Sequence, residues 1–279
     1  MAVYITGDTH CHFEKIQFFC HRIKTSIDDV MVILGDVGIN YLLNDNDFNL
    51  KKGLSTLPIT LFCIHGNHEI RPSNISSYKT KSFNGGIVYY EEEFPNILFA
   101  KDGEIYNFNG NKCMPIGGAY SVDKWYRILS AYKKHKDAID FPFSKKDYDK
   151  AVLFVKGDIE DTDFEIRNKL SKLYQHFPLG FCGWFNDEQP SDEIKTYVEK
   201  QISENNVDVI FSHTCPLKYI PVEVFLSCIN QSTVDKSTEE WLDKIEKKVN
   251  YKKWYCGHYH TDKVIDKIRF LFDDIVELI

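Results

Sequence analysis

Val3-Tyr4-Ile5-Thr6-Gly7-Asp8-Thr9-His10 is a short apolar run that turns abruptly polar at a glycine. The change recurs twice, with residues 30–34 before Gly35-Asp36 and residues 59–64 before His65-Gly66-Asn67-His68-Glu69. Between the first two runs, Phe13, Ile16, Cys20, Ile23 and Ile27 recur at helical spacing, which predicts an amphipathic helix over residues 14–26. Residues 47–57 fit a second helix. Strands that are apolar throughout, separated by helices, mean a largely parallel sheet covered on both faces. Functional residues of such a sheet belong beyond the carboxyl ends of its strands, where these polar clusters fall.

Further along, short strands are expected at 87–90, 97–100, 104–108 and 112–116, with Asp102-Gly103 and Asn109-Gly110-Asn111 as hairpin turns. They imply a second sheet or an antiparallel edge of the first. Residues 122–206 read as a mainly helical insertion. Within it, Ser144 and Asp147 form a capping box, a helix covers 164–177, and another starts at Pro190-Ser191. Strand character returns at 207–211. Helices are expected at 221–229 and at 241–249, the latter opened by a Ser237/Glu240 box. Residues 254–256 form a strand ending in Gly257-His258-Tyr259-His260, and 263–272 form paired strands around Asp266-Lys267. No internal linker is visible, so 1–279 reads as a single domain.

With 279 residues, 43% of them hydrophobic, the chain can bury a sizeable core. Its net charge of -7 argues against a dedicated nucleic-acid binder, which would carry a basic surplus. No apolar run reaches membrane-spanning length, and no basic region precedes the first strand, so neither a membrane span nor a signal peptide is expected. The eight cysteines sit mostly in apolar contexts and read as reduced thiols of a cytoplasmic protein.

Asp8, His10, Asp36, Asn67, His68, His213, His258 and His260 all fall immediately after expected strands. Any one of them alone reads as a turn former or a cap. Together, carboxylate, imidazole and amide oxygen suit Mn²⁺, Fe or Zn²⁺ better than calcium. A carboxylate such as Asp36 can bridge two cations, and such a pair polarises a phosphoryl group and supplies a bridging hydroxide.

Gly7-Asp8-x-His10, Gly35-Asp36, Gly66-Asn67-His68-Glu69, His213 and Gly257-His258-x-His260, in that order, resemble the signature of the calcineurin-like metallophosphoesterases. The resemblance implies a four-layer α/β/β/α sandwich with two facing mixed sheets and a dinuclear centre. One metal would be held by Asp8, His10, Asp36 and His260. The other would be held by Asp36, Asn67, His213 and His258, with Asp36 shared. The metals implied are two divalent transition-metal ions, Mn²⁺ first and Fe or Zn²⁺ as alternatives. His68 would protonate the leaving oxygen or stabilise transition-state charge, and Asp36 joins it as a catalytic residue. The implied activity is hydrolysis of a phosphate mono- or diester of a nucleotide or other small phosphorylated substrate. Nucleic acid and phosphoprotein are the alternative substrates.

The Glu69 and Arg71 that follow the Asn-His pair are superficially similar to the Ser/Thr protein phosphatases. Those enzymes differ at the earlier blocks, where Cys11 follows His10 and Val37-Gly38-Ile39-Asn40 follows Asp36 here. Substrate contacts are therefore sought in the insertion. Tyr120, Ser121 and Asp123 follow a glycine turn and are expected to face the cleft, Arg127 comes just after them, and Trp184 lies in a second polar-aromatic segment. Arg127 is a candidate phosphate contact with a surface or capping role as the alternative; Trp184 would stack a base or fill core.

Overall fold

The computed structural model describes residues 1–157, 164–178, 180–227, 229, 231 and 234–278. Parts of the expected insertion (158–163 and 179) and Cys228 thus lie outside the described residues. In chain order the strands of the first half are β1 (Val3–Thr6), β2 (Val30–Ile33), β3 (Thr60–Cys63), β4 (Lys79–Phe83), β5 (Gly86–Tyr90) and β6 (Ile97–Ala100). Then come β7 (Tyr106–Phe108), β8 (Asn111–Ile116), β9 (Val209–Ser212), β10 (Lys253–Cys256), β11 (Lys263–Ile265), β12 (Ile268–Phe270) and β13 (Ile275–Glu277). They form two mixed sheets, ordered β13-β1-β2-β3-β6-β5-β4 and β11-β12-β10-β9-β8-β7. β1, β2, β3 and β6 run parallel, as do β8, β9, β10 and β12, while the outer strands are antiparallel.

Alternation within the apolar strands builds the layers. Val30, Val32 and Phe62 point between the sheets to meet Phe108, Val209 and Phe211. Met31, Ile33 and Leu61 point the other way, against Phe13, Ile16 and Phe19 around α1 (Glu14–Ile23) and Leu54 of α2 (Asp45–Leu54). Three further helices are α3 (Lys124–His135), α4 (Lys145–Lys156) and α5 (Phe164–Tyr174), and these pack around their own apolar cluster. α6 (Asp192–Glu204) and α7 (Ser237–Glu246) cover the outer face of the second sheet through Val198, Trp241 and Ile245. The result is the α/β/β/α sandwich, with α6 a layer of the sandwich although the sequence had grouped it with the insertion.

Several local expectations are corrected. α1 stops at Lys24, whose φ is 60°, so Ile23 and Ile27 are exposed and do not extend the buried stripe. Asp102-Gly103 carries the chain from β6 to β7, that is, between sheets, and is no hairpin turn. Within 221–229 the described regular structure is a single 3-10 turn, Val222–Val224. The expected Ser237 box does not form: Lys236 precedes α7 without a side-chain cap. The Ser144–Asp147 box does form.

Candidate metal centre

The carboxyl ends of β1, β2 and β3 and of β9 and β10 converge between the two sheets. Asp8 follows β1, Asp36 follows β2 and Asn67 follows β3, while His213 follows β9 and His258 and His260 follow β10. His10 Nε2 and His260 Nε2 lie 2.9 Å apart, at 3.8 and 3.3 Å from Asp8 Oδ2. Asp36 Oδ2 is 3.9 Å from His10 Nε2, and its Oδ1 is 3.5 Å from His213 Nε2. His213 Nε2 faces Asn67 Oδ1 at 2.7 Å while its Nδ1 lies 2.8 Å from the Leu34 carbonyl, so Nδ1–H donates and Nε2 offers its lone pair to the centre. The ring of His258 stands 4.9 Å from that of His213, centroid to centroid.

These turns hold unusual backbone. His10, Asp36, His258 and His260 adopt φ of 44°, 45°, 67° and 46°, a left-handed conformation that costs free energy outside glycine. Hydrogen bonds compensate. Asp36 Oδ1 accepts the backbone N–H of Asn67 (2.8 Å) and of His68 (2.9 Å), and Asp8 accepts that of His258 at 3.0 Å. Buried Glu69 accepts from Gly66 N at 2.8 Å and Val37 N at 3.0 Å, joining the turns after β2 and β3. Close approach requires the preceding glycines, and at Gly35 a φ of 101° does so as well. A Cβ at Gly35 would meet His213 Nδ1 at 2.1 Å, at Gly66 Asp36 Oδ1 at 2.1 Å, and at Gly257 Asp8 Oδ1 at 2.2 Å.

Two carboxylates, four imidazoles and one amide oxygen therefore meet in one place, and the acids are buried. Among the described residues Asp8 and Asp36 form ion pairs only with histidines. Burial alone would raise the Asp36 carboxyl, but His213, His68, His10 and His258 around it hold it well below the usual range. Burial pushes His258 down to about 3, leaving it a neutral donor. Buried anionic oxygens beside neutral imidazole lone pairs, with no lysine or arginine pairing them, are a donor set that fits divalent transition metals.

A cleft of about 460 Å³ opens beside the donors, lined by Asp36, Asn67, His68, His258 and His260. Tyr120 and Asp123 reach it as expected. Arg127 and Trp184 do not line it. The Arg127 guanidinium is spent on Asp123 (2.6 Å), the Tyr41 hydroxyl (2.7 Å) and the Gly183 carbonyl (3.0 Å), so it is a clamp inside the protein. Trp184 is buried in the cluster of α3, α4 and α5, against Tyr174. Arg71 also turns away, pairing with Asp102 and the Asp187 carbonyl. Sequence reasoning missed Ile220, Phe225, Leu226, Asp235 and Glu239, which also line the cleft, because none of them directly follows a strand. Ser121, which follows the same glycine turn as Tyr120, accepts from Asn67 Nδ2 at 2.9 Å through its hydroxyl and so turns Asn67 Oδ1 toward His213.

Two facing sheets with this centre between their strand ends define a metal-dependent hydrolase of phosphoesters. The sequence model of the calcineurin-like phosphoesterase family matches residues 1–276, and the chain belongs to that family. Among solved structures it is similar to the phosphopantetheinyl hydrolase PptH from Mycobacterium tuberculosis, with 12% identity, 97% of this chain and 88% of that chain covered, and a TM-score of 0.44. It is also similar to AQ665, a protein of unknown function from Aquifex aeolicus, with 16% identity, 41% and 59% covered, and a TM-score of 0.24. No curated protein matches.

Proposed function

We propose that this enzyme hydrolyses a phosphate mono- or diester of a nucleotide or other small phosphorylated molecule. Two divalent ions, Mn²⁺ before Fe or Zn²⁺, would be held by Asp8, His10, Asp36, Asn67, His213, His258 and His260. Such ions supply positive charge for the phosphoryl oxygens and acidify water at neutral pH. The convergence of these seven donors, with no lysine or arginine pairing their carboxylates among the described residues, carries the reading.

The chain's own groups divide the remaining work. Asp36 fixes the turn that carries Asn67 and His68 by accepting both backbone N–H groups. His68 lines the cleft with its side chain 19% exposed, which supports a role in giving a proton to a departing alkoxide. Asp123, Asp235 and Glu239 line the same cleft against a single cation among its described lining residues, Lys236, which favours a small ester over a polyanionic strand.

The test is turnover of phosphomonoesters, phosphodiesters, cyclic nucleotides and single-stranded DNA and RNA with Mn²⁺, Fe²⁺, Zn²⁺ or Mg²⁺. Metal-dependent hydrolysis of small esters is expected. Cleavage of polymer alone would replace the reading with a nuclease, and no turnover with any metal would reject it.

A further inference from the structure

Part of the cleft wall comes from the chain following β9, where five apolar side chains gather. Ile220, Val224, Phe225, Leu226 and Ile229 line the space that Asp36, His68 and His260 share. Leu226 is 61% exposed. Apolar surface next to a buried donor cluster is normally covered by something, and among the described residues the chain does not cover it.

The charged groups of the cleft narrow what that something is. Between Lys218 and Lys244 the sequence holds one lysine, Lys236, and no arginine. Its ammonium lies 5.8 Å from the centre of the Phe225 ring, at the apolar wall. Asp123, Asp235 and Glu239 face the same space. Glu239 is 4% exposed; one oxygen accepts from the Thr214 hydroxyl at 2.7 Å, and the other, Oε2, is buried with no hydrogen-bond partner among the described residues. A buried, half-satisfied carboxylate in an apolar cleft repels a second anion and rewards an uncharged or donor-bearing group.

We infer that the substrate is a phosphoester whose alcohol half is uncharged and apolar or aromatic, seated against Phe225, Leu226 and Ile229 while the phosphate faces the metal centre. This rests on the phosphoesterase reading and narrows it. A nucleoside monoester falls within the class; a polyphosphate or an oligonucleotide does not.

The test uses the whole metal-loaded chain and three monoesters of similar primary alcohols: ethyl phosphate, 3-phenylpropyl phosphate and 3-(4-carboxyphenyl)propyl phosphate. Covering part of an aromatic ring should raise kcat/KM for the phenylpropyl ester at least about tenfold over ethyl phosphate. The carboxylate ester should fall back to the ethyl level or below. Phe225→Ala and Leu226→Ala, at partly or largely exposed positions, should bring the phenylpropyl-to-ethyl ratio toward one. Glu239→Gln should narrow the gap between the phenyl and carboxyphenyl esters. Binding of the neutral alcohol 3-phenylpropan-1-ol, followed by calorimetry, reads the wall without turnover and should weaken by about fivefold or more in Phe225→Ala.

Equal kcat/KM for the ethyl and phenylpropyl esters with no alcohol binding overturns the inference and leaves the phosphoesterase reading standing. Alcohol binding that depends on Phe225, without turnover of any ester, rejects the phosphoesterase reading while keeping an apolar ligand site. A preference that survives both alanine substitutions puts the apolar contact elsewhere and overturns the inference.

Discussion

At His68 the ring nitrogen Nε2 lies 3.9 Å from Asp36 Oδ2, and Nδ1 is buried with no hydrogen-bond partner among the described residues. Removing this ring takes away none of the seven donors. His68→Ala should therefore keep its metal content, measured by elemental analysis, yet lose roughly 10²–10⁴-fold in turnover. The loss should be largest for alkyl esters and shrink for a nitrophenyl ester, whose leaving group needs little protonation. Equal losses on both would leave only electrostatic positioning. Asp36→Asn should behave differently. It removes a buried charge that faces four histidines, so bound metal should drop below two equivalents and activity by several orders of magnitude. Full metal occupancy with near-parental turnover would contradict that. At this scale the donor candidates were readable because each stands within three residues of a glycine or directly after a strand. The fates of Arg127 and Trp184 were not readable, since Asp123, Tyr41 and Gly183, which claim the arginine, come from three separate segments.

Among elements, the strands marked by an apolar run or a flanking turn signal were the legible ones, among them β1, β5, β7 and β10 as well as the fully buried β2, β3, β6 and β9. β4, Lys79–Phe83, was not anticipated: its residues are exposed or half-buried, so no apolar run marks it. β13 is three residues long at a sheet edge and equally silent. The 221–229 stretch forms only a 3-10 turn where a helix is expected, and with Val222 and Leu226 66% and 61% exposed it has no buried apolar face to hold a helix in place. The turn after β3 supplies a sharper test. Gly66→Ala would place a methyl 2.1 Å from Asp36 Oδ1, and the turn is already tied to Glu69 and Asp36. The substitution should cost about 1–3 kcal/mol of stability and weaken metal binding by at least about tenfold. Unfolding by denaturant and a metal titration read the two effects separately. Parental values in both would mean that the turn yields freely.

For the molecule as a whole, donors from both sheets meet at one centre, so bound metal should fasten the sandwich together. Chelation should lower Tm on the order of 10 °C, given about 4 kcal/mol of linkage at a thousandfold excess over Kd. Adding metal back should restore it, and an unchanged Tm would show that the centre contributes nothing to holding the sheets. Glu188 gives a second global readout. It accepts the Ser121 N–H at 3.2 Å, and burial pushes its carboxyl up from 4.5 to about 7. The folded chain therefore keeps a proton that the unfolded chain releases, and stability should fall as pH rises across that window, by at most about 3 kcal/mol. In Glu188→Gln that part of the slope should vanish, as followed by Tm between pH 5 and 8; an identical slope would show that Glu188 is ionised throughout.

The pairing of β1 with β13 also governs how the chain reaches this structure. Tyr4 lies opposite Glu277 and Thr6 opposite Ile275, so one edge of the first sheet is completed by segments from opposite ends of the sequence. Closing so long a loop is entropically slow, and contacts of such separation retard folding. Until it closes, β1 presents an unpaired, apolar edge that can join another chain's strand. Refolding yield should consequently fall with protein concentration, and the first residues of the chain should gain protection from hydrogen exchange late in the process.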